Sequence, residues 1–134
     1  MIKKDDLKQY NDMKALLSLL DEEINQAYNT YKSPQMQARI MDYDQSDPGD
    51  PVTRALKKID RLKNERSKLA AEIKAIEQYV DNIDDYSVRG IVRYHFLERN
   101  TWEATCIKFR GHRSLSVVVN KVNNYFASEE SMHD

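Results

Sequence analysis

The sequence predicts an all-α chain: a long antiparallel helical hairpin followed by a small helical head. Three observations lead there. Glycine and proline number only three each in 134 residues, too few for the tight turns of a sheet-rich fold of this length. Charged residues reach 32% beside 40% hydrophobic ones, the mixture found in long solvated helices. Apolar residues also recur at alternating steps of three and four along two long stretches, which puts them on one stripe of a helix.

The first stretch runs from Asp5 to Tyr31, with Leu7, Tyr10, Met13, Leu17, Leu20, Ile24, Ala27 and Tyr31 on its stripe. Lys, Asp, Glu and Gln fill most other positions, as on a helix with one buried face. Ser33-Pro34 stops it, because proline pushes the residue before it out of the helical region. Residues 32–50 form a linker, with room for a short helical turn at Gln35–Met41 before a run of four aspartates from Asp42 to Asp50. Those aspartates invite a calcium-loop reading. However, Asp47 stands where such a loop needs glycine, and no glutamate closes it. The segment therefore reads as a solvated linker.

The second long helix starts with Asp50 as N-cap and Pro51 at the first helical position, where no amide hydrogen is needed. Val52, Ala55 or Leu56, Ile59, Leu62, Leu69, Ile73, Ile76, Val80 and Ile83 form its stripe, and Arg66 holds the one seam position where an apolar residue is expected. A charge there snorkels or sets register at some cost in stability. The two stripes can cover each other within one chain or pair between two chains, and the pattern allows both.

Asp84-Asp85 closes the acidic part. A third helix spans Tyr86–Glu98, with Val88, Ile91 or Val92, His95 and Phe96 on one face; Gly90 either weakens it or marks a close helix-helix approach. Thr101 is a good N-cap for a short helix of about two turns to Phe109, with Glu103 favoured by the helix dipole. Gly111 supplies a permissive backbone for a sharp turn. Ser114 or Ser116 then caps a last helix whose apolar face is Leu115, Val118 or Val119, Val122, and Tyr125 or Phe126. A short helix, a glycine-bearing turn and a second helix are the parts of a helix-turn-helix. Cys106 is the small residue its crossing needs, Phe109 and Val122 fill the wedge, and Trp102 anchors the short helix. The β-prone Val117-Val118-Val119 leaves a strand-bearing winged head as the alternative, which would shift Asn120 off DNA. The domain organisation expected is a hairpin over 1–83, a helix-turn-helix head over 84–126 and an acidic tail over 127–134.

Charge divides the chain in the same way. Residues 1–85 carry 14 basic and 17 acidic residues, 86–126 carry seven basic against two acidic, and 127–134 carry three acids, within a net charge of −1. A basic segment between acidic flanks is the charge footprint of a nucleic-acid-facing module. The single Cys106 excludes an internal disulfide framework and a cysteine-rich zinc site. His95, His112 and His133 lack ligand spacing; His95 reads as core and His112 as a turn residue near phosphate. No paired carboxylates, nucleophile-base pair or glycine-rich phosphate loop points to an enzyme or a cofactor. Acids stand where a signal peptide would be apolar, and no apolar run approaches a membrane span, so a reducing cytoplasm is expected.

Arg93-Tyr-His-Phe-Leu-Glu-Arg-Asn-Thr-Trp-Glu103 is similar to the "R-Y-x-x-L-E-x-x-T-W-E-x-I-A" stretch of the ArpU-type late regulators of Gram-positive phages. The head of those proteins looks like region four of bacterial sigma factors. The leading amphipathic helix and the Ser-Pro and aspartate-rich connector share the family's layout. The chain departs from it in having Thr105-Cys106 for a small apolar pair, and Phe109-Arg110-Gly111-His112 where the family has Leu-Gly-Tyr-Ser. The resemblance implies a phage or prophage sequence-specific DNA-binding transcriptional regulator in the bacterial host cytoplasm. Beside double-stranded DNA, the partners expected are a second copy in a homodimer or RNA polymerase, either of them met through the acidic hairpin. Phosphate anchoring would fall to Arg89, Arg93, Arg99, Lys108 and Arg110. Reading from the turn and last helix would fall to His112, Arg113, Ser116, Asn120, Lys121 and Asn124, since Asn can pair with adenine and Arg or Lys with guanine or phosphate. Two rival classes stand beside this: a protein-interaction module contacting RNA polymerase without DNA, and a phage DNA-packaging recognition subunit, for which a ring oligomer would be expected.

Overall fold

The structure, a computed structural model, describes residues 2–42, 51–110 and 115–133, and the side chains of 2–38, 51–109 and 115–130. The described residues are helical apart from short connectors, with no strand among them. The helices are α1 (Lys4–Tyr31), α2 (Pro34–Asp42), α3 (Pro51–Asp81), α4 (Tyr86–Val92) continued by a π-helical turn (Arg93–Leu97), α5 (Trp102–Arg110) and α6 (Leu115–His133). The all-α expectation holds. Val117-Val118-Val119 lies inside α6, so the winged alternative falls; Val118 is fully buried there, and burial overrides β-propensity. The stretch expected as an acidic tail continues α6 to His133. The aspartate run 43–50 and its calcium-loop reading, with the Asp50 cap, lie outside the described residues. So does the Gly111 turn.

The chain groups into two compact units, Met1–Met13 with Ile73–Asp134, and Lys14–Glu72. In the second, Leu20 and Ile24 of α1 and Val52, Ile59, Leu62 and Leu69 of α3 are buried. Asp21 accepts a hydrogen bond from the Arg66 guanidinium, and Lys63 lies over the Tyr28 ring at 4.9 Å. Residue numbers thus rise along α1 as they fall along α3. Arg66 fits the seam by turning its head to that carboxylate, as expected of a charge on an apolar stripe. Ser33 ends one helix and starts another: its hydroxyl donates to the Thr30 carbonyl at 2.7 Å and accepts the Met36 amide at 3.2 Å. The short helical turn expected at Gln35–Met41 is α2.

The other unit is built differently. Asp85 caps α4, its carboxylate accepting the Ser87 and Val88 amides at 2.9 and 3.1 Å. Val88, Ile91 and Val92 of α4, Phe96, Thr105 and Cys106, and Val118, Val122 and Phe126 of α6 are buried together with Leu7, Tyr10, Ile73, Ile76, Val80 and Ile83. Adjacent pairs such as Ile91-Val92 and Thr105-Cys106 are both buried, so α4 and α5 are covered on two sides rather than one. Gly90 settles between its two readings as a close approach: a Cβ there would stand 2.7 Å from Phe109 Cε1 of α5.

Candidate nucleic-acid interface

The segment between α4 and α5 departs most from regular helix. The Glu98 amide bonds back five residues to the Arg93 carbonyl at 2.9 Å, which defines the π turn. Carbonyls left over at its end are taken by side chains. Asn100 Nδ2 donates to the Tyr94 carbonyl at 2.9 Å, and Asn11 Nδ2 of α1 donates to the Phe96 carbonyl at 2.6 Å. Arg99 follows with φ 62°, the left-handed position that glycine usually fills after a helix end. Holding arginine there costs about 1–2 kcal/mol.

Thr101 then caps α5 as the sequence indicates, its hydroxyl accepting the Ala104 amide at 3.1 Å. The buried Thr105 is satisfied by donating to the Thr101 carbonyl at 2.7 Å, so a polar residue is tolerated where an apolar one would also fit. Trp102 stacks on His95, with ring centroids 3.6 Å apart, and meets Phe96 edge-on at 5.8 Å. His95 is half-buried, and its Nδ1 lies 2.7 Å from the Asn100 carbonyl. A ring nitrogen facing a carbonyl must carry hydrogen, so the neutral ring holds its proton on Nδ1. Burial pushes the His95 pKa down and Lys4 adds to that, against the Asn100 carbonyl, which raises it. Cys106 is buried, as a small residue at a close crossing should be. Val122 is fully buried, whereas Phe109 is half-buried, its ring laid against Gly90 and edge-on to Tyr94 at 5.7 Å.

On α6 the buried residues Val118, Val122 and Phe126 alternate with exposed Ser116, Asn120 and Asn124, which follow one another at steps of four on the opposite face. Lys121 is half-buried at its border. The sequence-indicated cations divide into two groups. Arg89 donates to the Ile83 carbonyl at 2.9 Å and lies over the Tyr86 ring at 5.0 Å, and Arg93 pairs with Asp81. Arg99 and Lys108 are exposed, Lys108 standing 6.0 Å from the Tyr94 ring centroid. The side chains of Arg110, His112 and Arg113 lie outside the described residues. Sequence reasoning missed Lys4, Lys8 and Asn11, which reach this region from the opposite end of the chain. Lys4 donates to Asn123 of α6. Only tertiary packing brings them there, so no local signal marks them.

Compared with protein-family models, curated proteins and solved structures, the chain matches none. Among the described residues no helix is long and apolar enough to cross a membrane, and no His, Cys, Asp and Glu group is placed to hold a metal ion. A cleft of about 750 Å³ in the Lys14–Glu72 unit has Glu23, Thr30, Arg54 and Lys58 on its walls. A second, of about 540 Å³, lies beside the irregular segment and is lined by Lys4, Lys8, Asn11, His95, Arg99 and Trp102 among others.

Proposed function

We propose that the chain is a phage or prophage DNA-binding transcriptional regulator. In this reading α5 and α6 form a sigma region-four-like helix-turn-helix, and α1 and α3 an antiparallel hairpin for dimerisation or for contact with RNA polymerase in a bacterial cytoplasm. One observation carries it: α6 turns Ser116, Asn120 and Asn124 outward in register while its other face is buried. A recognition helix needs both, a packed back and a hydrogen-bonding front. The resemblance of residues 93–103 to the ArpU-type regulators, and the net charge of +5 over 86–126 set by seven basic and two acidic residues, support the same reading. Arg99 and Lys108 are the described cations best placed for phosphate. Arg89 and Arg93 already have partners and would contribute less.

Selection of bound sequences from random duplex by the purified protein tests this. A recurring motif is expected, and Asn120→Ala or Asn124→Ala should relax preference at single positions by about 1–3 kcal/mol. Recovery of no motif, together with no salt-sensitive retardation of duplex, would overturn it. A second reading has an observation of its own. Ile107 of α5 is 73% exposed, and Leu115 and Val117 of α6 are also exposed; exposed apolar side chains of this kind suit a protein-interaction module contacting polymerase without DNA.

A further inference from the structure

Resting on the DNA-binding reading, we propose that the cleft between the first turns of α1 and the segment His95–Trp102 seats a phosphodiester group of duplex DNA. Lys4 and Lys8 then belong to the interface with Arg99. The cleft has a volume of about 540 Å³, and Lys4, Lys8 and Arg99 bring three cations to it against the single carboxylate of Asp12. These cations come from two elements remote in sequence, so their convergence is a product of the fold and not of a local charge run.

Each cation keeps its charge available. The Lys4 ammonium donates to the neutral amide of Asn123 rather than to a carboxylate. The contact of Lys8 with Asp5 is long, 3.8 Å, between side chains 58% and 86% exposed, which water screens almost completely. Arg99 is exposed and held in a backbone conformation that only glycine adopts freely. Strained residues of this kind, and π turns like the one before it, cluster where a ligand is bound. A guanidinium presents a planar fork of donors that matches phosphate oxygens, and two ammonium groups add point charges. The tether from Lys4 to Asn123 ties the cleft to α6, whose next residues outward, Asn120 and Asn124, are exposed. A duplex read by α6 would therefore bring its backbone to these cations.

The test is the salt dependence of binding to a labelled short duplex, measured by anisotropy for the full chain, for Lys4→Gln/Lys8→Gln and for Lys57→Gln/Lys58→Gln. Glutamine at position 4 retains a donor for Asn123, and unchanged thermal melting checks the fold. If both lysines meet phosphate, the slope of log K against log salt falls by about 2 in the first double variant and stays unchanged in the second. An unchanged slope in Lys4→Gln/Lys8→Gln, with salt-sensitive binding by the parent, overturns the cleft and leaves the DNA-binding reading standing. Equal losses in both double variants also overturn it, because long-range charge would then account for the effect. Absence of salt-sensitive binding by the parent overturns the DNA-binding reading itself.

Discussion

The unit Lys14–Glu72 and the unit of Met1–Met13 with Ile73–Asp134 bury their apolar residues by different rules. In the first, burial follows one stripe, and the apolar residues off it (Leu16, Leu19 and Leu56) remain more than 40% exposed. In the second, neighbouring residues of one helix are buried together, and the backbone bends to allow it, through a π turn, a left-handed Arg99 and a notch at Gly90. A stripe needs only the 3.6-residue period. A core covered from several sides needs particular shapes at particular positions. Among the described residues the π turn, the left-handed Arg99 and the Gly90 notch therefore gather in one unit, and with them its candidate interface.

Truncation of the core should separate the two most sharply. Ile91→Ala, at a fully buried site covered on two sides, is expected to cost roughly 3–5 kcal/mol, against about 2–3 for Leu69→Ala at the edge of the stripe. Chemical denaturation followed by circular dichroism measures both. Equal costs would mean that the stripe is as tightly packed as the core, and the comparison would fail.

Gly90 comes next. Gly90→Val drives a branched side chain into the Phe109 ring, only 2.7 Å from where its Cβ must sit, and should cost about 2–3 kcal/mol. Gly90→Ala gains about 1 kcal/mol in helix propensity but loses more than that to the same contact, 2.7 Å from Phe109 Cε1. Combined with Phe109→Leu, which clears the space, alanine should turn from harmful to favourable, and a double-mutant cycle reads that change of sign. A cycle without coupling would show that the notch is not a packing feature.

This division explains how much was legible in the sequence. The stripes of both long helices, the Pro51 start, the Thr101 cap and the buried Cys106 and Val122 follow from local spacing and capping chemistry, and all appear in the structure. Gly90 was readable as one of two things, and the position of Phe109 decides between them. The π turn and the left-handed Arg99 carry no signature, because neither residue type favours those conformations; the surroundings impose them. Lys4 and Lys8 read as ordinary charges on the solvated face of a helix, since what distinguishes them is a neighbour more than ninety residues away. Of the candidate interface, the outer face of α6 was visible and the cleft was not.

Arg99 tests whether irregularity here serves binding. Arg99→Gly removes the left-handed strain but also loosens the unfolded chain, so the net gain in stability should be about 0.5–1 kcal/mol. The same change should weaken duplex binding and lower its salt slope by about 1. A variant both more stable and poorer at binding would mark a strained residue retained for function. A loss of stability would place Arg99 among structural residues instead.

His95 gives a pH-dependent version of the same question. Burial, with a smaller contribution from Lys4, holds its pKa below the ordinary 6.5. The unfolded chain takes up a proton that the folded ring resists, so stability falls as pH drops below the unfolded value and levels off once the folded ring titrates. Melting temperature should therefore decline as pH falls through the ordinary histidine value of 6.5, and His95→Phe, which keeps an aromatic face for Trp102, should flatten that decline. An unaltered profile in the variant would assign the acid sensitivity elsewhere.

The smallest effect is expected in the regular unit, at Arg66. Its pairing with Asp21 joins side chains 41% and 47% exposed, a setting in which water and salt screen most of the attraction. Arg66→Met keeps the apolar stem on the seam and removes the charge, so the melting temperature should hold or rise, and the difference should not depend on salt. The charge is expected to act instead on which partners the seam accepts, since a lone polar group on an apolar stripe disfavours alternative registers and oligomers. Sedimentation across a concentration series should then show more self-association for Arg66→Met than for the parent chain. If the variant instead melts lower and associates no further, Arg66 contributes to stability, and the stripe would depend on one charge as the other unit depends on its irregular turns.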